Sequence, residues 1–554
     1  MQIKLNPASS ERKVQRRDFC ARTDMTMFDT LILGGKLIDG TGSPAVRSDL
    51  GIKGDRIQAT GDLRAVSAAR VIDATGLTLC PGFIDTHCHS DGILILDGQH
   101  AMGIRQGVTT EIITPDGIGY ALLPHDEYTQ VRWYHAGVLG LPPEDLDFST
   151  VEAARGNYDR KTACNVAMFL GHGALRMNVI GMRDEPMTGT HLDRARRLLL
   201  ESLEQGACGF STGLSYYPNS WGDSEELVEL CKVAADFGMP FSIHTRSAYL
   251  ERGFHDGGIE DALEIGRRSG VKVHIEHYRT QPENAGCVDE IMEPVERARR
   301  DGVDVTLETY PYPTGAGSPI GAMPGWFHEG RPEDMVARLA DPSTKARLVK
   351  FLTKTPGLGD LSGFMWTSIE SQANKHLEGM AFPDVAAERG VSVEEMVCDV
   401  MFEEKLMAGF RGIPTSSVRL WRQVEEDVMD LLARDDYMVG SDSCPVGGMV
   451  HPRAYGTFPR IVGRLRRRHG HPLERVIQRI TQNPAVRFGL KDRGTLEDGM
   501  FADIVIFNEE TINDLSTFED PTAHPVGIKY VLVNGLVAVD QERCTGTLAG
   551  RAIP

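Results

Sequence analysis

The chain has 554 residues, enough for three or four ordinary domains or for one large barrel with smaller parts attached. Its 59 Lys and Arg against 78 Asp and Glu give a formal charge of −19, which argues against nucleic acid or an anionic membrane surface as a partner. Hydrophobic content of 41% with 25% charged residues excludes a wholly disordered or fibrous chain, and no apolar run approaches the roughly 18 residues that span a bilayer.

In chain order, residues 1–27 read as a polar, disordered leader. Arg16-Arg17-Asp18-Phe19 has the look of a twin-arginine export signal, but Cys20-Ala21-Arg22-Thr23-Asp24 follows instead of an apolar stretch, so no signal peptide is read. Residues 28–80 alternate short apolar runs such as Thr30–Leu33 with turns at Gly34-Gly35, Asp39-Gly40 and Gly54-Asp55. The region from 490 to 554 has the same style, with strands at Ala502–Phe507 and Tyr530–Val533 and a hairpin signal at Asn534-Gly535. The two strand-rich ends are expected to meet as one small β-sandwich, with residues 81–489 inserted between them.

Inside 81–489, strand-like runs alternate with helical stretches. The strands are Thr78–Ile84, Thr109–Thr114, Asn165–Leu170, Cys208–Ser211, Pro240–His244, Val271–His277, Val303–Thr309 and Tyr437–Gly440. Segments such as Leu192–Gln205, Ser224–Phe237 and Val288–Arg300 read as helices between them. The expected fold class is α/β, a (β/α)8 TIM-like barrel. Residues 315–435 are too long for one connection and are expected to fold on their own, as a lid. The ten cysteines are scattered without a CxxC pair, which suits free thiols in a reducing, cytoplasmic setting.

The strongest chemical signal is Pro81-Gly82-Phe83-Ile84-Asp85-Thr86-His87-Cys88-His89. On extended backbone His87 and His89 point to one side and Cys88 to the other, so two imidazoles converge as half of a metal site. His244, His277 and Asp442 each close an apolar run, where a barrel strand would reach the rim that carries active sites. His274 competes with His277 and is disfavoured because it lies inside its run.

Several further motifs come in order: Gly107-Val108-Thr109-Thr110, Gly171-His172-Gly173-Ala174-Leu175-Arg176, Gly209–Pro218, Tyr310-Pro311-Tyr312, Gly440-Ser441-Asp442 and His451–Arg460. On these residues the chain resembles the D-aminoacylase (N-acyl-D-amino-acid deacylase) family of the amidohydrolase superfamily, from about residue 28 to 552. The resemblance implies metal ligands at His87, His89, His244 and His277, with Asp442 as general acid/base. Where that family has a metal-binding cysteine, this chain has Asp116, within Thr114-Pro115-Asp116-Gly117. Asp116 is then the fourth or bridging ligand, with Glu111 a weaker alternative. No lysine lies in Ala207–Ser211 to serve as a carboxylated ligand. An oxygen donor in place of sulfur keeps Zn2+ as the expected ion, one or two per chain, and admits Mn2+, Co2+ or Fe2+.

The resemblance also places Arg279, where the family has lysine, and Tyr310 on the substrate carboxylate. Arg246 and Tyr217 are further rim candidates. Trp326, Phe327 and Trp366 are candidates for an apolar pocket or for the core of the insert. His172 and Arg176 either reach the site or brace a loop. The expected activity is metal-dependent hydrolysis of an N-acyl amino acid of D configuration. Another linear or cyclic amide (an L-configured N-acyl amino acid, dipeptide, lactam or aryl amide) is the enzymatic alternative, and a non-catalytic dihydropyrimidinase-like scaffold the non-enzymatic one. The expected partner is that small amide, with no nucleic acid and no membrane; a homo-oligomer is compatible with the sequence.

Overall fold

The computed structural model describes residues 28–354 and 360–554, so the leader expected at 1–27 lies outside the described residues. Five strands come first: β1 Phe28–Leu37, β2 Val46–Lys53, β3 Arg56–Gly61, β4 Ala68–Asp73 and β5 Thr78–Pro81. Then β6 Phe83–Asp85, β7 Val108–Ile113, β8 Asn165–Met168, β9 Leu170–Gly171, β10 Phe210–Gly213, β11 Pro240–His244, β12 Lys272–Ile275 and β13 Val305–Thr309 alternate with helices. β14 Ala316–Gly317, β15 Phe364–Ser368 and β16 Gly409–Gly412 follow, then β17 Tyr437–Val439. The chain ends with β18 Ile504–Phe507, β19 Ile528–Val533, β20 Leu536–Asp540 and β21 Arg543–Cys544.

The expected inner strands are present within a few residues of their expected ends, and the molecule is α/β. They form two parallel sheets, β6-β7-β8 and β9-β10-β11-β12-β13-β17. Near-continuous burial along these strands explains their Val, Ile and Phe content, because helices cover a parallel sheet. The sheets are joined at both ends. β8 and β9 are consecutive, with Phe169 N donating to Ile113 O (3.2 Å) and Leu170 N to Gly209 O (3.0 Å). On the other side Asp442 N donates to His87 O at 2.7 Å, and Cys88 pairs with Ser443.

One expected strand divides. Thr78–Ile84 breaks at Gly82, so that β5 pairs with β18 while β6 pairs with β7. A Cβ at Gly82 would overlap the Thr109 side chain, so only glycine lets the chain pass between the two sheets there.

The covering helices follow the expected signals. Ser224–Phe237 starts at Asp223, whose carboxylate accepts from Glu226 N (2.8 Å), and ends at Gly238 with φ +82°. Leu227, Leu230, Cys231 and Ala234 form its buried stripe.

The terminal strands share one nine-stranded sheet, ordered β21-β20-β19-β18-β5-β1-β2-β3 with β4 on β1. Alternation along β18 divides its load: Ile504 and Ile506 join Ile32, Leu50 and Leu79, whereas Val505 and Phe507 join the large core around Phe83 and Val108. Residues between β13 and β17 build a third body with its own core, including Met335, Leu339, Trp366, Phe382 and Met396. The nine described cysteines are all free. No described helix is long and apolar enough to cross a membrane.

Candidate metal centre

The five expected ligands and Asp442 converge at the carboxyl ends of the parallel strands. His87 and His89 follow β6, and their Nε2 atoms lie 3.4 Å apart. Asp442 Oδ1 is 3.5 Å from His87 Nε2 and 3.4 Å from His89 Nε2. Asp116 Oδ2 is 3.5 Å from His89 Nε2 and 4.0 Å from His87 Nε2. Its other oxygen, Oδ1, faces His244 Nδ1 at 3.5 Å and His277 Nε2 at 3.7 Å. His244 Nδ1 and His277 Nε2 are 3.0 Å apart. Asp116 therefore stands between two groups of imidazole donors.

These spacings suit a bound ion. Donors about 2.1 Å from a tetrahedral zinc lie about 3.4 Å from one another. Asp116 Oδ1 is buried without a hydrogen-bond partner, a costly state that a cation relieves. The backbone bends to make this possible: φ is +57° at Asp116, +36° at His277 and +50° at Asp442. Three non-glycine residues in the left-handed region at one site are the kind of strain found where function over-determines the backbone. Gly440, just before Ser441, lets β17 close on the site, since a Cβ there would fall 2.5 Å from both Glu308 Oε2 and His87 Cβ.

Further groups orient the donors. His87 Nδ1 bonds to Glu308 Oε1 at 2.6 Å, and Thr86 Oγ1 also donates to Glu308. Glu308 would thereby hold the proton on Nδ1 and leave Nε2 free to bind. Ser215 Oγ lies 2.9 Å from His244 Nε2, which leaves Nδ1 free. The backbone N of Asp116 donates to Glu276, and Ser242 Oγ donates to Glu276 Oε1 at 2.7 Å. Asp442 Oδ2 pairs with Arg453 Nη1 at 2.8 Å, so Oδ1 alone faces the histidines.

The charges follow from these contacts. Burial would raise Asp442, but Arg453 and His87 outweigh it and hold the carboxyl well below its usual range. Asp116 is likewise held low, against its burial, by His244 and His277. Burial and the Asp116 charge push Glu276 well up. Asp85 is raised to about 7 by burial and by Glu111, and accepts from Ser441 N at 2.8 Å.

The Amidohydrolase family profile matches residues 388–539. A D-aminoacylase of Alcaligenes xylosoxydans xylosoxydans is 32% identical over 548 residues, covering 96% of this chain and 99% of that protein. The chain belongs to the amidohydrolase family. Another relative of that organism, an N-acyl-D-glutamate deacylase, is 32% identical over 93% of this chain and 94% of its own. A crystal structure of N-acyl-D-glutamate deacylase from Bordetella bronchiseptica, with zinc and a phosphonate mimic of the tetrahedral intermediate, covers 95% of this chain and 99% of that chain at TM-score 0.77 and 29% identity. A D-aminoacylase structure described by its binuclear metal centre covers the same shares at TM-score 0.74 and 31% identity.

The remaining expected residues of this amidohydrolase separate. Tyr310 lines a cavity of about 200 Å3 together with His89, Asp116, His244, His277 and Asp442. Arg279 stands behind it, its guanidinium 4.5 Å from the Tyr310 ring centroid, and donates to Thr280 O at 2.9 Å. Tyr217 lines the cavity and stacks on His328 at 4.1 Å. Arg246 is not brought to the cavity: its guanidinium is spent on Asp261 (3.1 Å) and the carbonyls of Ser220 and Gly222. His172 and Arg176 bind Glu226 at 2.7 and 2.6 Å and brace their helix.

His274 bonds to Thr306 Oγ1 and Glu308, leaving His277 as the ligand candidate. Glu111 is bound by His100 at 2.6 Å, and Cys88 lies beside it, away from the histidines. Phe327 and Trp366 belong to the core of the third body. Sequence reasoning gave no role to Glu308, Glu276 or Asp85, which are single acids inside or just beyond strands. It quoted Arg453 within a motif without giving it a role.

Proposed function

We propose that this chain hydrolyses the amide bond of an N-acyl amino acid of D configuration, releasing a carboxylate and a free amino acid. The observation that carries it is the Asp116 carboxylate set between the His87/His89 and His244/His277 pairs, with Asp442 beside them. His87, His89, Asp116, His244 and His277 would hold zinc, and the oxygen donor at 116 also suits Mn2+, Co2+ or Fe2+. A divalent ion, when bound there, supplies a Lewis acid that polarises the carbonyl and makes water more acidic.

The chain's own groups do the rest. Asp442, ionised and aimed by Arg453, accepts the proton of the attacking water at Oδ1 and passes it to the leaving nitrogen. Tyr310 lines the cavity, and the Arg279 and Arg453 guanidiniums, both about 4.5 Å from its ring centre, stand behind that wall; their positive charge favours this end for a substrate carboxylate. The ligand set that a non-catalytic scaffold would have lost is complete.

We read the parallel strands as one closed eight-stranded barrel, β8 and β9 being two halves of its third strand, which their joined ends support. Residues 81–489 would be that barrel, 28–80 and 490–554 the small sandwich, and 315–435 the lid. Nine free cysteines favour a reducing compartment, the cytoplasm. The test is free-amine release from matched N-acetyl-D- and N-acetyl-L-amino acids with zinc, manganese or cobalt. Turnover of the D series is expected. Turnover of neither series by metal-loaded protein would overturn the reading and direct attention to cyclic and aryl amides.

A further inference from the structure

We infer that the acyl half of the substrate is an uncharged aliphatic chain much longer than acetyl; this rests on the N-acyl amino acid reading above. The metal-facing cavity, about 200 Å3, is smaller than the roughly 300–1,000 Å3 of typical ligand pockets. It continues past His244, Tyr216 and Tyr217 into a vestibule of about 840 Å3 between the metal site and the third body. Met323, Trp326, Phe364 and Phe410 give the vestibule an apolar wall. A substrate that filled only the inner cavity would leave this wall wet.

The passage between the two spaces is kept open by small residues. Gly315, Ala316 and Gly317 line both. A Cβ at Gly317 would come no closer than 3.7 Å to Phe410, and at Gly315 no closer than 3.5 Å to Tyr310 Oη. Polarity selects the occupant. Among the described residues no lysine or arginine lines the vestibule, and its acids are Asp184 and Glu251. Asp184 is already engaged by Arg252 at 2.8 Å and the Tyr249 hydroxyl at 2.7 Å. An anionic acyl group would find no counter-charge there, whereas each buried methylene is worth about fourfold in binding.

Direction selects which half of the substrate enters. Tyr310 lines the inner cavity and not the vestibule. With the amino acid carboxylate at that end, the substituent on the far side of the scissile amide is the acyl chain. It leaves past His244 into the apolar space.

The experiment compares N-acetyl, N-butanoyl and N-octanoyl derivatives of one D-amino acid on the zinc-loaded full chain. Ala322→Trp and Ala248→Trp, which place an indole in the vestibule and away from the inner cavity, are assayed beside it. The expected result is that kcat/KM rises about tenfold or more from acetyl to octanoyl, chiefly through KM. In either variant that keeps wild-type metal content and circular dichroism, the octanoyl-to-acetyl ratio should fall toward one. Should acetyl match or exceed octanoyl in the wild-type protein, the inference is overturned while the deacylase reading stands. That comparison needs no variant to fold. A ratio unchanged in folded variants overturns it too, and turnover of none of the three substrates removes both this inference and the reading it rests on.

Discussion

Asp442 divides its two oxygens between different tasks. Oδ2 meets Arg453 at 2.8 Å, and Oδ1 faces the two histidines of the first pair. Arg453 and His87 hold this carboxyl well below its usual range, which favours the ionised form, and the ion pair fixes its orientation before substrate arrives. Asp442→Asn keeps the shape and removes the base. Turnover should fall by roughly 10^2 to 10^4, with metal content by elemental analysis unchanged. An unaltered kcat would take the proton-transfer role away from this residue. Glu308 matters at the same scale, because it chooses which nitrogen of His87 carries the proton. Nothing in the local sequence marks it: it is one acid inside β13, and only the approach of β6 to β13 and β17 gives it a partner.

At the scale of elements, the helix at His172–Ile180 is anchored by a buried triad. Glu226, on the neighbouring helix, accepts from Arg176 and lies 2.7 Å from His172 Nε2, and the backbone N of Met187 also donates to it at 2.5 Å. Burial alone would raise this carboxyl, but Arg176 and His172 outweigh burial and hold it at about 2, below the ordinary 4.5. A depressed pKa contributes stability that is complete above the unfolded value and is lost as pH falls through the folded one. Glu226→Gln should therefore cost roughly 3 kcal/mol near pH 7, read from urea melts, because it strands a buried guanidinium. The gap between variant and wild type should narrow as pH falls from about 4.5 toward 2; a gap that stays constant over that window would assign the stability to packing instead. His172 and Arg176, quoted from one motif with two readings open, thus turn out to brace rather than to catalyse. Their signal in the sequence was the motif itself, which does not tell the two roles apart.

At the scale of the molecule, Asn165 ties the terminal sheet to the parallel strands. Its amide donates to Thr109 O and to Asp503, and its carbonyl oxygen accepts from Asn534 Nδ2 (2.7 Å) and from Arg551 N. The last residues run beside β8, with Ile553 N donating to Val166 O at 2.8 Å. Replacing Asn165 with Ala leaves several buried polar groups without partners, at about 1–3 kcal/mol each. Thermal scanning should show a melting temperature lower by a few degrees, with metal content intact. No change would mean that the apolar contacts of Val505 and Phe507 suffice to hold the two bodies together.

The sequence by itself determined the alternation of strands and helices, the meeting of its two ends, the separate body within 315–435 and the polar groups His87, His89, His244, His277 and Asp442 at the ends of strand-like runs; Asp116 was singled out by the family resemblance. These are local matters: apolar period, turn residues, and polar groups at the ends of buried runs, each readable within a few positions. The tertiary structure alone decided that Asp116 stands between two histidine pairs, that Glu308, Glu276 and Arg453 set their charges, and that Arg246 serves Asp261. It also decided that Thr78–Ile84 is two strands in two sheets. Each of these depends on groups brought together from 11 to more than 400 residues apart, where no periodicity reaches and only the packing of one element against another selects the partner.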